Sequence, residues 1–318
     1  MVNSFSEAYH AQSGKYVDKW AFYLDAYGHF LDPIRDKISH VLEIGVQNGG
    51  SLEVWARYFP NVTHVIGCDI DPACGELAFS DPRISVVVGD ASQKQTQKRV
   101  LEACPTFDLI IDDGSHRQDD VITAFWAYFP HVSYGGYMII EDLHTSYWQG
   151  YGGGLSHPES SMQFLKLLAD IVNFEHWGIP GRRADALSCF SAGKNFVNET
   201  TVAEVLSVTF LNSLCIIRKV DQGQKSEMGL RLGTGTETAV ASFPVGKRNK
   251  VRLKEDQSQN PAASIEDLSL VKLRRSRDDL ARQVASLAEA NNELLASTSW
   301  RITRPLRAIK SLFTSTNG

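Results

Sequence analysis

The sequence predicts an α/β fold: a doubly wound, mainly parallel sheet with helices on both faces. Three observations predict it. Short apolar, β-branched runs alternate with stretches of helical periodicity. Several of these runs end in an acid followed closely by a glycine or a turn. The intervals between runs suit one helix and two turns, which makes right-handed crossovers the natural connection.

Residues 19–31 carry Trp20, Tyr23, Tyr27 and Phe30 at helical spacing. We read them as a helix packing on the sheet, in preference to an aromatic substrate pocket. Residues 41–44 form the first strand, followed by the turn Gly45-Val46-Gln47-Asn48-Gly49-Gly50. Leu52, Trp55, Ala56 and Phe59 then recur at i, i+3, i+4 and i+7 before Pro60, which predicts a helix. Gly45 can adopt backbone angles that other residues avoid, and Gly49 and Gly50 let a ligand approach the main chain. Such a turn sits at the carboxyl end of a strand, where open α/β sheets bind ligands. The pattern Glu43-x-Gly-x-x-x-Gly-Gly has Gln47 where the dinucleotide fingerprint needs its second glycine, so NAD and FAD are disfavoured.

A second strand, 64–69, ends in Asp69, 24 residues beyond Gly45. An acid near that spacing can accept hydrogen bonds from both ribose hydroxyls of an adenosine ligand; it also fits a plain Asp-Ile-Asp-Pro turn. A third strand, 84–88, runs into Gly89-Asp90-Ala91-Ser92. Asp90 suits an adenine amino group or the cap of the next helix. Residues 107–112 lead into Asp112-Asp113-Gly114-Ser115-His116, and 137–140 into Glu141-Asp142-Leu143-His144. Neighbouring strands place Asp112, Asp113, Glu141 and Asp142 at one edge of one cleft. Like charges that close need a proton or a cation among them. Oxygen ligands favour a hard cation such as magnesium, with manganese and calcium as alternatives.

Gly150–Pro158 reads as a lid or an ordinary connection before a helix at 159–172. His176, Trp177, Arg182, Arg183 and Asp185 acquire no role from the sequence. Residues 202–208 and 214–218 read as closing strands or a helix-strand pair.

The chain has 318 residues and is 43% hydrophobic, enough for one sizeable domain and an appendage. A net charge of -5 argues against nucleic acid as a partner. Five scattered cysteines, with no C-x-x-C pair, fit a reduced, cytosolic protein rather than a disulfide scaffold. The polar start lacks a signal core, and no apolar run is long enough to span a bilayer.

Taken in order, Glu43-x-Gly-x-x-x-Gly-Gly, Asp69, Gly89-Asp90, Asp112-Asp113-Gly114-Ser115-His116 and Glu141-Asp142 resemble a class I S-adenosylmethionine-dependent methyltransferase. More narrowly, Ile111–His116 and Ile140–Trp148 resemble the metal-dependent sugar O-methyltransferases of macrolide biosynthesis and the cephalosporin-hydroxylase-like group. The resemblance covers about residues 15–219 and implies a Rossmann-like, seven-stranded sheet. It implies Glu43, Gly45, Gly49, Asp69, Asp90, Ala91 and Asp112 at the S-adenosylmethionine site. It also implies Asp112, Glu141 and Asp142 as magnesium ligands, and a saccharide or glycoside acceptor.

A sugar alcohol is a poor nucleophile at neutral pH. A cation holding two of its oxygens lowers the proton affinity of one of them, and a histidine suits the role of base. His144 is the first candidate and His116 the second; each also suits the role of orienting a metal-binding carboxylate. Phe210–Cys215, where the macrolide enzymes carry a histidine or acid, has neither. Two other readings compete with methyl transfer: a metal-dependent oxidation on the same fold, and a non-catalytic assembly subunit.

The domain reading is residues 1–219 for the methyltransferase domain, 220–263 for a flexible linker, 264–298 for a coiled-coil helix and 299–318 for a basic amphipathic tail. The helix rests on Leu273, Leu280, Leu287 and Leu294 at heptad spacing, with Leu270, Arg277, Val284 and Asn291 at the alternate heptad position. It offers a surface for a second copy or a glycosyltransferase partner. The tail suits peripheral contact with the cytoplasmic face of a membrane. Its Ser299-Trp-Arg-x-Thr-x-Pro-Leu-Arg pattern resembles tails of bacterial surface-polysaccharide enzymes.

Overall fold

The computed structural model describes residues 4–193, 197–229, 256–260, 263, 265 and 270–296. Its centre is a seven-stranded sheet of order β3-β2-β1-β4-β5-β7-β6. The strands are β1 (His40–Ile44), β2 (His64–Asp69), β3 (Ile84–Val88), β4 (Phe107–Asp112), β5 (Val132–Ile140), β6 (Val205–Leu211) and β7 (Leu214–Lys219). The five strands β1–β5 pair in parallel, and β7 runs antiparallel to both β5 and β6. The doubly wound, mainly parallel sheet is therefore as the sequence predicts. Residues 205–219 resolve into a hairpin, with Ser213 at φ +66° in its turn.

The central strands β1 and β4 are buried on both faces, and the two-residue period of their side chains divides the interior into two layers. Leu42, Ile44, Ile110, Met138 and Ile140 join one layer, with Phe125 and Phe164 from the helices α5 (Gln118–Tyr128) and α6 (Ser161–Val172). Val41, Leu109, Ile111 and Ile139 join the other, with Phe5, Tyr23 and Trp55. Those three come from α1 (Phe5–His10), α2 (Ala21–Leu31) and α3 (Gly50–Tyr58). Two further α-helices are α4 (Lys94–Ala103) and α7 (Glu199–Ala203).

The chain starts at the sheet's middle, winds outward through β1, β2 and β3, then returns to β4 beside β1. That reversal opens a crevice beyond the carboxyl ends of the strands. The register sets Ile44, Asp112 and Ile140 side by side. The residues that follow each tip therefore share one level.

The domain boundary differs from the expected 219. Gln257 N–H donates to the Gly178 carbonyl at 3.0 Å, and Ile265 packs against the first core layer. Gln257 of the expected linker and Ile265 at the start of the expected coiled coil thus belong with the sheet domain, Ile265 because its apolar side chain finds a core to join. The final helix, α8 (Leu270–Ala296), is a separate unit. The tail at 299–318 lies outside the described residues, as does most of the 220–263 segment. Among the described residues, no helix is long and apolar enough to cross a membrane.

Candidate active site

A cleft of about 1010 Å³ occupies the crevice. Of the residues expected at a donor site, Gly45, Asp69, Asp90, Ala91 and Asp112 line it. Gly45 holds φ +92°, and a Cβ there would collide with the Asp113 carbonyl, so this turn requires glycine. Asp69 accepts the Val46 and Gln47 N–H groups on Oδ2 (2.7 and 3.0 Å) and the Asp71 N–H on Oδ1 (2.9 Å). Partial burial pushes its carboxyl up, but these donors outweigh that and hold it below the ordinary carboxylate value. Asp69 therefore braces the glycine turn as well as facing the cleft. Asp90 lines the cleft and accepts the Ser92 N–H at 2.9 Å, which closes a turn ahead of α4; the helix's N-cap is Gln93, so Asp90 does not take the expected capping role.

Glu43 and Gly49 do not line the cleft. The Glu43 side chain is fully buried beneath α3, where Ser51 Oγ donates to it at 2.6 Å. Burial pushes its carboxyl up to about 7, with Lys19 opposing. Gly49, in the left-handed conformation before α3, faces Phe79 and Leu77. Gly50 lines the cleft, yet a Cβ on it would strike the carbonyls of Lys15 and Tyr16. The glycine admits a segment of the chain itself at that point.

The acids after β4 and β5 separate into distinct environments. Asp113, His116 and Asp142 bring one ligand atom each within 4.8 Å of one another. His116 Nε2 stands 3.8 Å from Asp113 Oδ1 and 3.8 Å from Asp142 Oδ2. Two carboxylates and an imidazole fit a divalent cation. Glu141 instead receives Lys19 Nζ at 2.7 Å and the Tyr27 hydroxyl at 2.5 Å. Burial pushes the Glu141 carboxyl well up, against the pull of Lys19. Asp112 is 5% exposed and its Oδ2 has no hydrogen-bond partner; burial pushes it up to about 7. An orphaned carboxylate oxygen at the cleft wall fits a bound group there.

Of the expected metal ligands, then, only Asp142 falls in the tight group, and Asp113 stands where Asp112 was expected. The physical reason is local. Asp112 ends β4 in register with Ile44 and Ile140, both in the buried layer, whereas Asp113 has left the strand and is 27% exposed.

The two histidines have different surroundings. His116 has φ +55° and faces the carboxylates. His144 Nδ1 lies 2.6 Å from Ser213 Oγ in the β6–β7 turn, which fixes the ring and leaves Nε2 for another partner. His144 Nδ1 is also 3.9 Å from Asp142 Oδ1. Gln47, His116 and Asp142, following the tips of β1, β4 and β5, all have positive φ without being glycine. Such strain collects at functional sites.

The sequence reading missed Lys19. Its ammonium contacts Asp113 Oδ2 at 2.5 Å and Glu141 Oε1 at 2.7 Å, with Glu43 Oε1 at 3.9 Å. Burial would lower its pKa, but three facing acids raise it well above the ordinary lysine value. The aromatic helix was also undervalued. Its apolar rings do pack on the sheet, yet their polar ends hold the acid pair. The Tyr23 hydroxyl donates to Asp142 Oδ1 at 2.8 Å, and Trp20 Nε1 donates to the same oxygen at 3.0 Å. The available signal was that Trp20, Tyr23 and Tyr27 all carry a donor at the ring's far end.

Within this fold, residues 42–143, which include the turn after β1 and the acids after β4 and β5, match the family model described as "Methyltransferase domain". The resemblance narrows to enzymes named for sugar methylation. The 8-demethyl-8-alpha-L-rhamnosyl tetracenomycin-C 2'-O-methyltransferase of Streptomyces olivaceus is 37% identical over 175 residues, covering 52% of this chain and 45% of the relative. The Mycinamicin VI 2''-O-methyltransferase of Micromonospora griseorubida is 37% identical over 160 residues, covering 48% and 39%. A solved structure of the MycE methyltransferase from the mycinamycin biosynthetic pathway, in complex with Mg and SAH, superposes with a TM-score of 0.54 at 26% identity. That superposition covers 72% of this chain and 54% of the other. The chain spans less than half the length of these two curated relatives.

Proposed function

We propose that this protein transfers a methyl group from S-adenosylmethionine to a sugar hydroxyl of a glycan or glycoside, with magnesium as cofactor. The observation that carries the reading is one juxtaposition. The cleft behind the Gly45 turn opens directly onto the Asp113–His116–Asp142 group. The named activities of the relatives support the same reading.

In this reading Gly45, Asp69, Asp90, Ala91 and Asp112 hold the donor. Asp113 and Asp142 hold the cation, with His116 beside them and Glu141 shaping the nest through Lys19. Bound magnesium supplies a Lewis acid that lowers the proton affinity of a coordinated hydroxyl. His144, oriented by Ser213, takes the hydroxyl proton on Nε2. Trp20 and Tyr23 fix Asp142, so that positioning supplies much of the rate gain. Setting the sugar in bacterial surface-polysaccharide biosynthesis, and the chain at a membrane face, rests on the resemblance and composition of residues 299–318 alone.

Helix α8 belongs to the proposal as a self-association element. Leu280, Val284, Leu287 and Leu294 form a stripe at heptad spacing and are 57–70% exposed. Ala281, Gln283, Ala288 and Ala290 flank it without charge, whereas Arg277, seven residues before Val284, puts a like charge at a core position, so the stripe from Leu280 to Leu294 is the part suited to a second copy.

The test is transfer from methyl-labelled S-adenosylmethionine to a panel of 6-deoxyhexosides and hexosides, followed by mass. A single added methyl group, lost with a chelator and restored by magnesium, is expected. Iron- and oxygen-dependent turnover without methyl transfer would instead establish the oxidation reading.

A further inference from the structure

We propose that Trp20 and Trp148, standing beside His144, form the platform on which the acceptor's pyranose ring stacks; this rests on the sugar reading above. The Trp20 and His144 rings meet edge to face, with centroids 6.0 Å apart at 88°. The His144 and Trp148 rings lie 4.6 Å apart at 67°. The imidazole therefore contacts both indoles.

Both indoles are unusually open. Trp20 is 60% and Trp148 51% exposed, whereas Trp55 and Trp126 are 1% and 2% exposed in the core. Trp20 lines the cleft, and Trp148 lies at its margin, against His144, which is 3.9 Å from the cleft residue Asp142; the two indoles offer apolar surface that a ligand can cover. Neither residue hangs on a loose segment. Trp20 Nε1 is tied to Asp142 Oδ1 at 3.0 Å. The Trp148 backbone donates to Thr145 and its carbonyl accepts from Tyr151 and Gly153, at 2.9–3.1 Å. The surface is thus preformed.

A pyranose matches it chemically. One face of the ring presents polarised C–H groups, which suit the electron-rich face of an indole. Its rim presents hydroxyls, which suit His144, His116 and Asp142 beside the indoles. Stacking releases water from both apolar surfaces and leaves the rim free to meet the polar edge. A flat aromatic acceptor would stack as well, but its rim would lack neighbouring alcohol groups for that edge.

The experiment uses the full chain and phenyl α-L-rhamnopyranoside within the glycoside panel. Binding is read by saturation-transfer NMR and turnover by methyl transfer. Trp148→Ala should raise the acceptor's Kd and KM about tenfold or more, equivalent to at least about 1.4 kcal/mol, with the loss falling on KM rather than kcat. Trp148→Phe should recover most of the binding. Affinity for S-adenosylhomocysteine and for Mn2+ should hold in both variants.

An unchanged acceptor Kd in Trp148→Ala would overturn the platform. So would a matching fall in S-adenosylhomocysteine affinity, which would make the indole a brace for the fold. Failure of the wild-type chain to bind any glycoside would also overturn it. If wild type binds glycosides through Trp148 but transfers no methyl to them, the transfer reading fails and the platform stands.

Discussion

Lys19 Nζ lies 2.7 Å from Glu141 Oε1 at the inner end of the acid group, with the lysine side chain 4% and the glutamate 2% exposed. Asp113 and Glu43 face the same ammonium, so one cation offsets three carboxyls. Breaking such a buried pair by removing one partner leaves the other charge uncompensated. Lys19→Met should therefore lower stability by about 3–5 kcal/mol, read from urea unfolding at neutral pH. A loss under about 1 kcal/mol would mean that water already reaches these carboxylates.

Glu43 gives a pH signature. Burial holds its pKa in the folded state at about 7, above the ordinary 4.5, so between those values the folded state retains a proton that the unfolded chain has released. Its contribution is fully present below about pH 4.5 and is lost as pH rises through 7. Glu43→Gln removes this dependence. The variant should gain on wild type between those two pH values and be the more stable one at pH 8, by roughly 1–3 kcal/mol. Parallel stability curves across the range would contradict the assignment.

The partition of the acids can be read without turnover. Asp113→Asn and Asp142→Asn should each weaken Mn2+ binding, followed by electron paramagnetic resonance, by roughly 10–100-fold. S-adenosylhomocysteine affinity, followed by calorimetry, should change little. Asp112→Asn should show the reverse pattern. Equal loss of Mn2+ binding in Asp112→Asn would return Asp112 to the metal set.

Helix α8 makes a separate prediction. Leu287→Glu puts a charge in the middle of the exposed stripe and should shift the full chain to a smaller species in light scattering. S-adenosylhomocysteine affinity should stay the same. An unaltered mass would remove α8 as the self-association element.

The order of strands and helices was legible because it depends on periodicity, and periodicity is a local property. The Gly45 turn, Asp69, Asp90 and the acid pairs could be placed at strand ends for the same reason. Once strands alternate with helices, the crossovers make the strands parallel, which brings their carboxyl ends to one edge. The sequence by itself thus determined the sheet, its ligand-binding edge and the residues gathered there.

Only the tertiary structure decided which of those residues do what. Asp112 and Asp113 are neighbours in sequence and equivalent in chemistry. The end of β4 buries one and releases the other towards His116 and Asp142. Glu43 sits in the motif but beneath α3, because strand alternation turns it away from the cleft. Lys19 follows Asp18 just before a helix, and the two acids that it hydrogen-bonds lie 94 and 122 residues away. No local pattern encodes contacts of that range. They exist because packing brings the start of α2 to the tips of β4 and β5, where burial makes an unpaired carboxylate costly and an ammonium a stabilising neighbour.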